Sequence, residues 1–229
     1  SSGQYKLIDT IRQFMNDNTS DTMPGHRNTF LTRNATNIAY GISPSYVCQT
    51  VEYTGNPNPQ GTAVKDNNEA AYAWPSAGYF PSEELSTSAY WTVNLNADKL
   101  NLSNIGLNVT ITDLDTGKIY KRTSSADGLA SSTYWGLYIS FAPPEVSGKS
   151  YAGKRYKVVL TNLADPNGVP SSLEYTVNFF SYCNKYSVNG GSYYCDQYGR
   201  LTTKPPSTDP PSTDPPVKSD ITVSYETHV

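Results

Sequence analysis

The chain has 229 residues, 19 of them Tyr, with only 16% charged residues and a net charge of −3. It is also rich in Ser, Thr, Asn, Gly and Pro, which suits exposed sheets joined by many turns and excludes a helical bundle or a doubly wound α/β enzyme. No Lys/Arg stripe marks a nucleic-acid partner, and no apolar run reaches the roughly 18 residues that a membrane span needs.

No leader-like segment opens the chain, and Ser1 stands where a natural start would have Met. An amphipathic pattern begins almost at once, so the chain is expected to be a piece of a longer protein. Residues 5–15 place Tyr5, Leu7, Ile8, Ile11, Phe14 and Met15 at helical spacing, which predicts about three turns of amphipathic helix. A polar loop follows from Asn16 to Pro24, then a shorter helix from His26 to about Arg33, then strands over Thr36–Ser43 and Ser45–Tyr53.

The run Gly55-Asn56-Pro57-Asn58-Pro59-Gln60-Gly61 cannot sit inside a helix or strand and sets a domain boundary near residue 62. From about 72 to 181 short alternating segments recur: Tyr90–Leu95, Leu107–Thr112, Ile119-Tyr120, Trp135–Phe141, Tyr156–Leu160 and Leu173–Phe179. Strands at this spacing predict a β-sandwich. Cys183 and Cys195 bracket a Tyr/Ser-rich stretch with Asn189-Gly190-Gly191 at its turn, which predicts a hairpin closed by a disulfide. Cys48, in an alternating stretch without a nearby His or Asp, is expected to be a buried thiol rather than a nucleophile. After Arg200, PSTDP occurs twice in tandem and predicts an extended linker. Ile221–Tyr225 beyond it has strand character and is expected to dock on the sandwich edge or to open a further module. The units are therefore 1–61, 62–182, 183–200 and 201–229. The fold class is α+β, mostly β.

The segment Gly25-His26-Arg27-Asn28-Thr29-Phe30-Leu31, continuing to Ile38-Ala39-Tyr40-Gly41, is the sharpest local signal. A Gly-His step opens a short helix, and an apolar-x-Gly strand closes about fifteen residues after the His. This resembles the CAP superfamily of cysteine-rich secretory proteins, antigen 5 and pathogenesis-related 1, and its bacterial secreted branch in particular. Trp74-Pro75, Trp91-Thr92-Val93 and Tyr151–Leu160 likewise look like the β domain that follows CAP domains in such proteins. The resemblance implies the C-terminal half of an α-β-α sandwich over 1–61, an immunoglobulin-like sandwich after it, and a secreted or cell-surface location. It implies that His26 is a cleft residue. The cleft's other His and its acidic pair belong to the family's N-terminal half, so a missing N-terminal half or a partner chain is expected to complete the fold.

Read from the residues, His26 alone is a poor metal site, and no metal or cofactor is expected. The only other histidine is His228. Asp17 and Asp21 fall in the polar loop, with nothing in the sequence fixing them toward the imidazole. The candidate ligand-binding residues are His26, Arg27, Tyr40, Tyr46 and Trp135, with Tyr53 as a further aromatic anchor. Trp135 is expected in the core, with Tyr134 and Tyr138 edges at the surface. Tyr79 and Phe80 are expected to cover the junction between domains. Asp113-x-Asp115-x-Gly117 has Ser124 where a calcium loop needs an acidic residue, so a hairpin turn is expected. The sequons at Asn18, Asn34, Asn101 and Asn108 arise readily by chance in such a composition. No HExxH or GxSxG occurs. The reading is therefore an extracellular binding or interaction protein without turnover. Its alternatives are a carbohydrate-binding accessory module of a plant-fibre-degrading (cellulosome-like) system, acting on a polysaccharide or cell-wall partner, and a protease-like hydrolase when the full cleft is present.

Overall fold

The computed structural model describes residues 7–17, 22–31, 35–42, 47–53, 69–133, 136–146, 150–181, 186–188, 191–195, 201–202 and 221–225. Over these the protein is mostly β, with two helices at the N-terminal side. Helix α1 (Leu7–Asn16) and helix α2 (Gly25–Leu31) precede strands β1 (Ala35–Ile42) and β2 (Val47–Tyr53). The two strands pair antiparallel from Ala35↔Tyr53 to Ile42↔Val47. These are the helices and strands that the sequence predicts, each shifted by a residue or two at its ends.

The next strands are β3 (Ala71–Trp74), β4 (Gly78–Pro81), β5 (Trp91–Leu95), β6 (Asn101–Leu102), β7 (Asn108–Asp113) and β8 (Ile119–Arg122). Then come β9 (Leu129–Ser132), β10 (Leu137–Phe141), β11 (Arg155–Ala164) and β12 (Pro170–Phe180). One sheet has the order β3-β5-β10-β9. β13 (Tyr186–Val188), β14 (Gly191–Cys195) and β15 (Leu201–Thr202) form a small sheet of their own, and β16 (Thr222–Tyr225) completes a second large sheet in the order β16-β12-β11-β7-β8. β4 pairs parallel with β12, and β6 pairs with β11.

Alternation builds the core. β7 and β12 bury every second residue, and the inward set Val109, Ile111, Tyr156, Val158, Leu160, Leu173, Tyr175 and Val177 joins Trp91, Val93, Ile139 and Phe141 of the other sheet in one apolar cluster. Trp91, with no exposed surface, has the rings of Phe141, Tyr151, Tyr156 and Phe179 around it at centroid distances of 6.3, 5.8, 5.6 and 5.8 Å.

β5 and β10 break the alternation, because all five residues of each are buried. Register puts Asn94 opposite Tyr138 and Thr92 opposite Ser140 on the face away from the core. That face lies under the N-terminal segment, since the Tyr138 hydroxyl donates to the Pro24 carbonyl at 3.0 Å. A strand covered on both faces has no solvent side, so polar residues there are buried as well.

This cover corrects one expectation. Tyr138 is 1% exposed rather than a surface edge, and burial pushes its phenol well above the usual range. Alternation along β4 corrects another: Phe80 is a core residue at 2% exposure, packed edge-on to Trp74 at 4.7 Å, while Tyr79 points outward at 59%. The Asp113 turn is the expected hairpin, with Asp113 Oδ1 accepting from the amides of Asp115 and Thr116. β16 docks on the edge of β12. The expected boundary near residue 62, together with Tyr46, Tyr134, Trp135 and Cys183, lies outside the described residues.

Candidate functional site

The Gly-His-Arg step sits where α1 ends and α2 begins. α1 stops at Asn16, and Asp17 follows with a left-handed backbone (φ +36°), its N–H donating to the Gln13 carbonyl at 2.9 Å. Asp tolerates this conformation better than most residues. The reversal carries the Asp17 carboxylate under the start of α2. There Oδ2 accepts the His26 amide at 2.8 Å, with the Arg27 amide at 3.5 Å, and Oδ1 meets His26 Nδ1 at 3.0 Å. A residue nine positions away thus satisfies amides that an adjacent N-cap would normally take.

Asp17 is therefore fixed toward the imidazole, contrary to the expectation from sequence. Its side chain is 2% exposed and that of His26 is 60% exposed. A carboxylate only accepts, so neutral His26 carries its proton on Nδ1, and Nε2 is left with an open lone pair. Nε2 has no protein partner among the described residues. The ring is held from one side by Phe14, stacked at 5.0 Å with an interplanar angle of 6°. An imidazole so placed can accept a hydrogen bond, take a proton or ligate a metal.

Phe14 continues into a row of rings. Phe30 lies 6.0 Å from Phe14, and Tyr40 lies 6.4 Å from Phe30. The structure thus links two of the candidate residues, His26 and Tyr40, through two phenylalanines that the sequence reading assigned no part in the site. Tyr40 is half-buried, and desolvation raises its phenol above the ordinary value.

Arg27 does not belong to a ligand surface. It has no exposed surface, and its guanidinium donates to the carbonyls of Met15 at 2.5 Å, Asn16 at 2.9 Å and Tyr90. The planar fork of five N–H groups suits three separate acceptors. Two of these are carbonyls at the end of α1 that the helix itself leaves unsatisfied. Desolvation lowers the guanidinium to about 10, with Tyr138 and Asp17 acting in the opposite direction, so it remains a cation at neutral pH. Arg27 ties α1, α2 and the approach to β5 together.

Further contacts fix the same junction. Asn16 Oδ1 accepts the Ser86 amide at 2.7 Å, and Arg12 grips both carboxylate oxygens of Glu84 at 2.8–3.0 Å.

Of the remaining candidates, Tyr46, Trp135 and Cys183 lie outside the described residues. Cys48 stands in β2 opposite Gly41, Cys195 in β14 opposite Leu201, and Tyr53 at the end of β2; their side chains are outside the description. The backbone pairing of β13 with β14, from Tyr186↔Tyr193 to Val188↔Gly191, is that of the expected hairpin. Among the described residues no three His, Cys, Asp or Glu side chains gather as a metal set, and no helix is long and apolar enough to cross a membrane.

Scans of the chain against protein-family models, curated proteins and solved structures return no match.

Proposed function

We propose that this chain is an extracellular binding or interaction protein of the CAP type, followed by an immunoglobulin-like sandwich and a proline-rich tail. Its recognition centre is the outward Nε2 face of His26, with the row of rings behind it. The observation that carries this reading is the pairing of an exposed imidazole with a buried carboxylate. Holding a side chain in one orientation at a surface reduces the entropy lost when a ligand binds it. The Gly-His-Arg resemblance supports the same residue as a cleft residue. Under this reading His26 faces the ligand and Arg27 builds the scaffold.

The Asp17–His26 pair also favours a second reading, a hydrolase, because an oriented base is half of a catalytic apparatus. The other half is a nucleophile or an activated water with a charge-stabilising site. The hydroxyl nearest in sequence, that of Thr29, is already donating to the His26 carbonyl at 2.6 Å. Binding asks less of the site: an oriented polar group beside apolar rings.

The experiment uses the full chain and its His26→Ala variant against insoluble cell-wall polysaccharides and a panel of peptide, ester and glycan reporter substrates, with and without zinc. The expected result is no turnover, with saturable retention on a polymer that falls roughly tenfold in the variant, as loss of one hydrogen bond that leaves its partner unsatisfied would give. Turnover that disappears in His26→Ala replaces binding with the hydrolase reading. Retention that is unchanged in His26→Ala removes the site from His26.

A further inference from the structure

Strand β16 reaches its place by way of the proline-rich segment. The 19 residues from 203 to 221 separate it from β15, and extended chain of that length spans up to roughly 60 Å. Beyond the prolines, side chains alternate: Ile221 and Val223 pack against the sandwich core, while Thr222, Ser224 and Tyr225 are exposed. The strand runs antiparallel to one short stretch of β12, from Ser171↔Tyr225 to Glu174↔Thr222. β11 occupies the other side of β12, and β4 takes the far end of the same side, from Val177↔Gly78 to Phe180↔Pro81. The edge at 171–174 is thus covered by a segment that joins the sheet from a distant part of the chain.

We propose that this edge is a strand-accepting site, filled within one chain by its own residues 221–225 and able to take the same segment from a second copy. An uncovered sheet edge offers a row of unpaired amides and carbonyls, and added strands gain affinity from that row. Specificity comes from alternate side chains, here the contacts of Ile221 and Val223 with the core. Four paired residues bind weakly by themselves. The tether supplies the rest, since covalent attachment holds the strand at an effective concentration set by the length of the linker, on the order of millimolar. Below that concentration the chain's own strand occupies the edge. Above it, or when the chain's own strand is disabled, a second copy's strand takes the place and links two chains. This inference is independent of the role of His26.

The test uses full-length Val223→Pro and Val223→Asp chains, the first disabling ladder pairing and the second the core contact. The probe is a labelled peptide of residues 220–227. The peptide is expected to bind both variants saturably, and the unmodified chain roughly tenfold or more weakly, because the tethered strand competes. Hydrogen exchange at the Ser171–Glu174 amides facing the edge should quicken in the variants and slow again when peptide is added. A peptide carrying Val223→Asp itself should not bind. The proposal is overturned if those amides exchange alike in all three chains. It is also overturned if variants that still melt cooperatively fail to take the peptide, or if the unmodified chain takes it equally well.

Discussion

The described residues of helices α1 and α2 and those of 69–181 are held in place by different forces. The second region has Trp91 at the centre of a continuous apolar cluster drawn from both large sheets. Among the described residues, none from the first region belongs to that cluster. The helical region makes polar contacts across to the second region: Arg27 on the Tyr90 carbonyl, Tyr138 on the Pro24 carbonyl, Asn16 on the Ser86 amide and Arg12 on Glu84. Apolar burial scales with area and is indifferent to angle, whereas a buried hydrogen bond depends on geometry and is costly when broken. A polar seam therefore fixes the orientation of the helical segment on the sandwich. It also presents an adjacent side chain, His26, in a defined pose.

The largest way to break the comparison is alkaline pH. Burial raises the phenols of Tyr138, Tyr151, Tyr156 and Tyr175 above their ordinary value of 10. A folded-state value above the unfolded one means this stability is fully present below about pH 10 and is lost as pH rises beyond it, at about 1.4 kcal/mol per unit for each phenol. After the exposed phenols have ionised, a further rise in phenolate absorbance, from the buried rings, should coincide with the loss of circular dichroism in one cooperative step above pH 10. A smooth titration with the fold retained would contradict the burial of these rings.

Trp91→Ala removes the centre of the apolar region and should cost about 3–5 kcal/mol, read from the denaturation midpoint. Arg27→Ala strikes the other region. It leaves the Met15, Asn16 and Tyr90 carbonyls without their donor, at roughly 3 kcal/mol. Its mark is selective: amides of α1 and α2 should lose protection from hydrogen exchange, while those of β11 and β12 keep it. Equal loss in both regions would mean that the seam and the core form one cooperative unit. Tyr138→Phe, which deletes one hydroxyl from the seam, should cost about 1 kcal/mol in the same melt.

The sequence made the elements legible and left the seam hidden, for a physical reason. Period alone locates α1, β7 and β12, because one face of each is apolar and the other is not. β5 and β10 read as half-exposed strands, and nothing local tells that a helical segment covers their outer face. Arg27 reads as a surface cation because a buried guanidinium is recognisable only from the carbonyls around it, and these come from residues 12, 11 and 63 positions away. His26 was legible from the Gly-His step. Its partner Asp17 was not, because the pairing rests on one left-handed residue at the end of α1. The available signal was an Asp immediately after a helical pattern, a few residues before a second helix start. Phe14 and Phe30 were visible as apolar positions, but the row that they make needs both helices in place.

The smallest energetic effect falls on the functional residue. His26→Ala should cost under about 1 kcal/mol, because the imidazole is largely exposed and such pairs contribute little. Stability therefore tests its role poorly, and the direct measurement is nitrogen NMR of the His26 ring at a pH where the ring is neutral. With Asp17 orienting the imidazole, Nδ1 should carry the proton and Nε2 should show the shift of a bare, unprotonated nitrogen, and Asp17→Ala should abolish that preference. A proton found on Nε2 in the unmodified chain, or a tautomer unaffected by Asp17→Ala, would contradict an outward-facing recognition nitrogen at His26.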